Sequence, residues 1–148
     1  MARTPVPTWS FALVVVKSGR KVALVRDTKD GLAWSLPGGR VESNEELLAA
    51  ARRFAVNEVG VPVELEGLLR LQHTLVDGGE ARLRICVVAR PADDRLLKTG
   101  PDAHSLLAQW FTREQLATLA VSSRDVKQFV DLALDGPVYP LSLLTWER

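Results

Sequence analysis

Residues 34–61, WSLPGGRVESNEELLAAARRFAVNEVGV, constrain this chain more than any other stretch. An apolar strand end runs into Pro37-Gly38-Gly39, then a polar turn, then a helical pattern closed by Gly60, so the unit is loop, helix, loop. Two consecutive glycines let a backbone approach a ligand with no Cβ in the way. Ser43 and Asn44 are the N-cap candidates, and Glu46, three after Ser43, has the capping-box spacing. Leu47, Ala51, Ala55 and Val59 recur every four residues with Leu48 beside them, which predicts the buried stripe of an amphipathic helix. Arg53, Phe54, Asn57 and Glu58 have the i, i+1, i+4, i+5 spacing that gathers side chains on one helical surface, and this face is expected to carry the chemistry.

Gly39, five residues, Glu45, seven residues, Arg53, then Ala55, Glu58, Gly60 and Val61, all preceded by Leu36-Pro37-Gly38-Gly39, form a pattern too long for chance. It resembles the signature box of the Nudix superfamily, G-x5-E-x7-R-E-U-x-E-E-x-G-U with U a bulky aliphatic. The resemblance implies an α/β fold, an α/β/α sandwich with a mixed β-sheet, and hydrolysis of a nucleotide or nucleoside diphosphate derivative with Mg²⁺ (or Mn²⁺). It implies metal binding by Glu58 with the carbonyl of Gly38 or Gly39, and an orienting role for Arg53 on Glu45 and the site. Two positions depart from the pattern: Phe54 stands where the family has a glutamate after the arginine, and Asn57 replaces the first of two paired glutamates.

The chemistry explains why those positions matter. Diphosphate hydrolysis needs negative charge stabilised on phosphoryl oxygens and a water delivered, and a divalent cation on oxygen ligands does most of this. Asn57 keeps a carbonyl oxygen but no charge, and Phe54 cannot take a proton. Loss of a positioned general base costs about 10²–10⁴ in rate unless another residue serves. Glu45, Glu58, Asn57 and Gly38 are therefore the metal candidates. Gly38, Gly39, Arg40, Phe54 and Asn57 are the box residues expected to meet substrate.

With 148 residues, 47% hydrophobic and 25% charged, the chain has the size and composition of one ordinary globular domain, residues 1–148 with an N-terminal arm at 1–8. A net charge of +1 removes a global electrostatic argument for polymeric nucleic acid. The single cysteine, Cys86, lies in the apolar run Ile85-Cys86-Val87-Val88 and reads as core. No stretch approaches the roughly 20 apolar residues of a membrane span and the N-terminus lacks a signal-peptide pattern, so no membrane partner and a cytoplasmic location are expected.

Apolar runs bounded by turn residues predict strands at 11–16, 21–26, 65–73, 82–90 and 108–111. Helices are predicted at 113–119 and 122–134, the second capped by Ser122 or Ser123. Arg26 and Trp34 flank the loop that borders the ligand site in similar proteins, though Trp34 reads better as a core anchor. Arg82 and Arg84 share a strand face, which makes Arg84 a candidate phosphate contact and, on the blander reading, a solvated arginine. The apolar tail from Tyr139 to Trp146 is expected to pack on the domain or on a second copy in a homodimer.

Between Ala89 and Leu141 the chain resembles a branch of the family that acts on 8-oxo-guanine nucleoside diphosphates, with His104 where that branch has a glutamate. A histidine with an ordinary pKa of about 6.5 suits general-base work. A branch that splits GDP-sugars at the sugar carbon has a similarly depleted box and a loop histidine, spaced one residue differently from the following tryptophan. Three readings follow: a metal-dependent hydrolase of purine, including oxidised-guanine, nucleotides; an inactive domain kept as a nucleotide-sensing or protein-binding module; and a nucleotide-sugar C–O hydrolase using His104.

Overall fold

The apolar run around Val14 becomes the middle of a mixed sheet. The computed structural model describes residues 3–26, 33–100 and 107–147. Strand β1 (Thr8–Ser18) runs parallel to β6 (Glu80–Pro91), in register from Thr8 opposite Ala81 to Val16 opposite Ala89. On the far side of β6 lies β5 (Val63–Val76), antiparallel to it and interrupted by two register shifts. Strand β2 (Lys21–Arg26) folds back on the end of β1 and also pairs with β3 (Trp34–Ser35) and β7 (Leu107–Thr112). The order is β3-β2-β1-β6-β5, with β4 (Gly38–Arg40) on β1 and β7 on β2.

The sheet is covered on both faces, which is why β1 reads as continuously apolar rather than alternating. Ala12, Val14 and Val16 point to one side, with Ile85, Val87 and Ala89 of β6, and meet helix α1 (Leu47–Phe54). Val15, Cys86 and Val88 point to the other and meet α3 (Arg124–Asp135), with the short α2 (Arg113–Leu116) beside it. This is the expected sandwich.

One edge of β1 is shared. Strand β4 pairs with Phe11–Leu13 and β2 with Lys17–Ser18, so the sheet forks between them. The loop-helix unit is anchored at that fork.

Several local expectations are corrected. The strand begins at Thr8 rather than Phe11, and the Pro7 carbonyl accepts the Ala81 N–H, so the end of the predicted arm belongs to the sheet. Helix α1 begins at Leu47, with no side-chain cap from Ser43 or Asn44. Instead residues 42–45 close their own turn: the Glu45 N–H donates to the Glu42 carbonyl at 3.1 Å, and the Glu42 N–H to Glu45 Oε1 at 3.0 Å. Asn44 takes φ +60° there, a conformation asparagine tolerates better than most residues. Helix α2 is shorter than predicted and carries the capping box the sequence reading missed, between Thr112 and Gln115. Helix α3 starts after Ser123 as expected, without a side-chain cap bond. The tail folds onto its own domain, where Tyr139 and Leu68 exchange two backbone hydrogen bonds of 2.8 Å. No helix among the described residues is long and apolar enough to cross a membrane.

Candidate active site

Gly38 and Gly39 are required by close approach. A Cβ on Gly38 would stand 2.5 Å from the Ala12 carbonyl oxygen and from Leu13 Cδ2, and one on Gly39 would stand 2.9 Å from Phe54 Cζ. Strand β4 is thus pressed between β1 and α1. In an antiparallel ladder successive residues face alternately toward and away from the partner strand. The Pro37 carbonyl accepts the Val14 N–H, and the Val41 N–H donates to the Ser10 carbonyl, so 37, 39 and 41 face β1. Backbone groups of Gly38 and Arg40 are therefore turned outward: the Gly38 N–H donates to Glu58 Oε2 at 2.7 Å, and the Arg40 carbonyl accepts from Arg53 Nη2 at 3.3 Å. Of the two carbonyls that the sequence left open, Gly39's faces the ladder and Gly38's is turned away from β1.

Past Phe54 the helix widens into a π-helical turn, Ala55–Val59, and Gly60 closes it at φ +87° with its N–H shared between the Ala55 and Val56 carbonyls. In a π turn the residue stacked on position 53 is 58 rather than 57. Glu58 is accordingly among the charges that act on Arg53. Nothing in the residue pattern signalled this widening.

Arg53 grips Glu45 with two bonds, Nε to Oε2 at 2.7 Å and Nη2 to Oε1 at 2.8 Å, a bidentate pair of the strong kind. The hydrogen bond from Arg53 is the largest influence holding the Glu45 carboxyl below its ordinary range, and the same bond raises Arg53. Glu42 adds a looser contact at 3.8 Å. Arg53 therefore ties α1, the 42–45 turn and β4 together.

Phe54 does not stand on an open chemical face. It is 9% exposed, part of the core beneath the sheet, with its ring in front of Gly39 and the Arg53 guanidinium 4.4 Å above it. The ring packs into the core there, where it is worth more than in water. Asn57 is half-buried, and its backbone carbonyl accepts from Lys98 Nζ at 3.2 Å. Lys98 was not singled out in the sequence. Its backbone bridges the Val59 carbonyl (2.9 Å) and the Ala108 N–H (2.8 Å), tying the segment before β7 to the end of the box helix.

The remaining candidates scatter. Arg40 lies 4.3 Å over the Trp9 ring. Trp34 is a core residue, edge-on to Phe111 with centroids 4.7 Å apart, and Arg26 lies 5.3 Å from its ring centre. The Arg26 Nε is buried and has no hydrogen-bond partner among the described residues. Arg84 shares strand parity with Cys86 and Val88, so it lies on the α3 face, away from α1. There it is bound to Gln72 and to Asp125 of α3 (2.5 Å), an interlayer tie rather than a clamp at the box. His104 lies outside the described residues. A groove of about 650 Å³ lined by Lys17, Arg90, Arg95 and Trp110 shares no residue with the box and carries mixed charge.

The donor set for a divalent cation is lean. Glu45 is taken by Arg53, Phe54 and Asn57 carry no charge, and no three acidic, histidine or cysteine side chains among the described residues group as a metal cage. The oxygens that the box presents on this side are the Glu58 carboxylate, which accepts the Gly38 N–H, and the outward Gly38 carbonyl. These fit a hard cation that brings further oxygens with it, as Mg²⁺ does when it keeps waters and binds substrate phosphates.

The NUDIX domain model matches residues 6–131. The human 8-oxo-dGDP phosphatase NUDT18 is 33% identical over 117 residues, covering 76% of this chain and 34% of that protein. The chain spans about a third of the length of the curated relatives it matches. Among solved structures, a NUDIX hydrolase from Nitrosomonas europaea superposes with a TM-score of 0.78 at 24% identity, over 95% of this chain and 97% of that one. A MutT NUDIX hydrolase from Burkholderia pseudomallei gives 0.67 at 20% identity, over 84% and 97%. These structural likenesses show the fold, and families of this kind generally use divalent metals. A NUDIX domain model matched over most of the chain, on a sheet, fork and glycine-to-glycine helix of this geometry, makes the protein a member of the Nudix family.

Proposed function

We propose that the chain hydrolyses nucleoside diphosphate derivatives with the help of a divalent cation, Mg²⁺ or Mn²⁺, and that purine compounds, oxidised guanine diphosphates among them, are its substrates. The observation that carries this is Glu58 seated on the Gly38 N–H at 2.7 Å, with the Gly38 carbonyl turned to the same side. The name of NUDT18 supports the substrate class.

In the reaction a water oxygen bonds to phosphorus, the bridging P–O bond breaks, and the proton of the water is passed on. A bound cation would lower the cost of charge on the phosphoryl oxygens, and Glu58 and the Gly38 carbonyl would hold it. Arg53, kept cationic by its two bonds to Glu45, fixes the turn and β4 at the position the diphosphate must meet. Glu45 makes a poor base, since its proton affinity is lowered by that same pair. The base role is assigned to His104.

Nucleotide and phosphate release from a nucleotide panel with Mg²⁺ and with Mn²⁺ tests the proposal. Turnover no higher than that of Glu58→Ala sinks it. The burial of Phe54 favours a second reading, a domain kept for nucleotide sensing or protein binding. Nucleotide binding indifferent to metal, with no turnover, would identify that role. Release of free sugar from a nucleotide sugar would instead identify C–O cleavage by His104.

A further inference from the structure

We infer that the outer edge of β5 is a docking strand for a second copy of this chain, the two β5 strands pairing antiparallel about a twofold axis at His73.

Which backbone groups are free follows from parity along the ladders. The Ala81 N–H donates to the Pro7 carbonyl, so alternate residues from 81 onward on β6 turn their backbone groups toward β1. Arg82, Arg84 and Cys86 therefore turn theirs toward β5, where they engage their partners Thr74, Gln72 and Arg70. Leu71, His73 and Leu75 are left with their N–H and C=O groups directed outward. Leu68, beyond a register shift, faces the same way and exchanges its two bonds with Tyr139. Among the described residues nothing pairs with that edge past Leu68. Between Leu69 and Val76 there is no proline, lysine or acidic residue, the devices by which sheets keep another strand off an edge.

The side chains are self-complementary. Leu71, His73 and Leu75 share the α1 face with Ile85, yet Leu71 is 64% exposed and Leu75 74%. In a twofold antiparallel pair His73 opposes itself, so Leu71 opposes Leu75 of the second copy and Leu75 opposes its Leu71. Gln72 meets Thr74 on the other face, and no arginine, lysine, aspartate or glutamate is set against its like. An apolar hollow of about 220 Å³, bounded by Leu68, Leu71, Ile85, Tyr139 and Leu143, opens beside Leu71, where Leu75 of the second copy would lie. The second copy's strand ends at Val76, opposite Arg70, and so stops short of the Leu68 position that Tyr139 already holds. A protruding leucine and a hollow, set on either side of the axis, favour the same chain as partner over a foreign strand.

Sedimentation equilibrium of the full chain tests this. A two-chain mass that falls to one chain on dilution is expected. Leu71→Lys combined with Leu75→Lys sets lysine against lysine twice and should raise the dissociation constant about ten-fold or more. Leu71→Lys combined with Leu75→Glu sets lysine against glutamate twice and should restore pairing relative to the double lysine variant. His73→Cys stands on the axis, where opposed Cα atoms about 5.5 Å apart are within disulfide reach. Thr74→Cys places like Cα atoms roughly 8 Å apart, outside it. Cys86 is buried and does not compete. Mild oxidation should therefore cross-link His73→Cys and not Thr74→Cys. A one-chain mass for the native chain up to millimolar concentration would overturn the inference and leave the edge to a strand of another protein. So would a dimer indifferent to the double lysine variant, or cross-linking of Thr74→Cys in preference to His73→Cys.

Discussion

The ring of Phe54 fills the space in front of Gly39, so that a Cβ on that glycine would lie 2.9 Å from Phe54 Cζ. The position where related boxes carry an acid is here part of the core. Restoring the acid should therefore damage the fold before it helps the site. Phe54→Glu removes a buried ring and places a carboxylate 9% exposed, a change expected to cost at least about 3 kcal/mol. For a domain of this size that corresponds to a fall in melting temperature of roughly 6–12 °C. Thermal unfolding checks it, and an unchanged midpoint would mean the ring is not needed where it lies.

The Arg53–Glu45 pair gives a prediction with a pH signature. Glu45→Gln leaves Arg53 with a neutral partner and is expected to lower stability at pH 7 by about 1–3 kcal/mol. Because the Glu45 carboxyl is held below its ordinary value of 4.5, first by the Arg53 hydrogen bond, the pair's contribution is fully present above pH 4.5. It is lost as pH falls through the lower, folded-state value. The stability gap between wild type and Glu45→Gln should narrow below pH 4.5, as read from urea midpoints across that range. A gap that is constant or widens in acid contradicts the assignment.

Arg84 is held by Asp125 across the sheet-to-α3 interface, with both side chains about a quarter exposed. Asp125→Asn is expected to cost about 1–2 kcal/mol of stability, in the range for a charge-assisted bond with partial solvent access. It should leave KM for a nucleotide unchanged if the tie is structural. A lower KM in this variant would mean that Arg84, once released, reaches a ligand phosphate.

Much of this architecture was legible in the residues. The runs at Val14, Val22, Leu69 and Val87 announce strands because apolar positions must be buried, and Gly60 announces the helix end because φ +87° favours glycine. Strand β4 was not legible, and β3 only as an apolar strand end before Pro37: at three and two residues they owe their pairing to β1 and β2 rather than to propensity. The true start of α1 was hidden because Ser43 and Asn44 look like caps while Glu45 is drawn into a turn by Glu42 and Arg53. The packing of Phe54 was hidden for a related reason. Regular helical spacing grouped it with Asn57 and Glu58, but the π turn rotates Glu58 onto Arg53 and leaves Phe54 in the core. Lys98 could have been suspected only from its charge near the helix end, since what places it is a backbone bridge between residues distant in sequence.

On the proposed reading, Glu58 is the acid through which a divalent cation and a diphosphate meet the fold. The most direct measurement is turnover of nucleoside diphosphates, 8-oxo-guanine forms included, by wild type and Glu58→Gln in millimolar Mg²⁺ or Mn²⁺. The substitution keeps an acceptor for the Gly38 N–H, so the unfolding midpoint should move little. The account predicts cation-dependent turnover by wild type and a loss of about 10²-fold or more in kcat/KM in the variant, the scale set by removing a charged group that acts in the transition state. Wild-type turnover that survives Glu58→Gln, or no turnover by either protein, would contradict it.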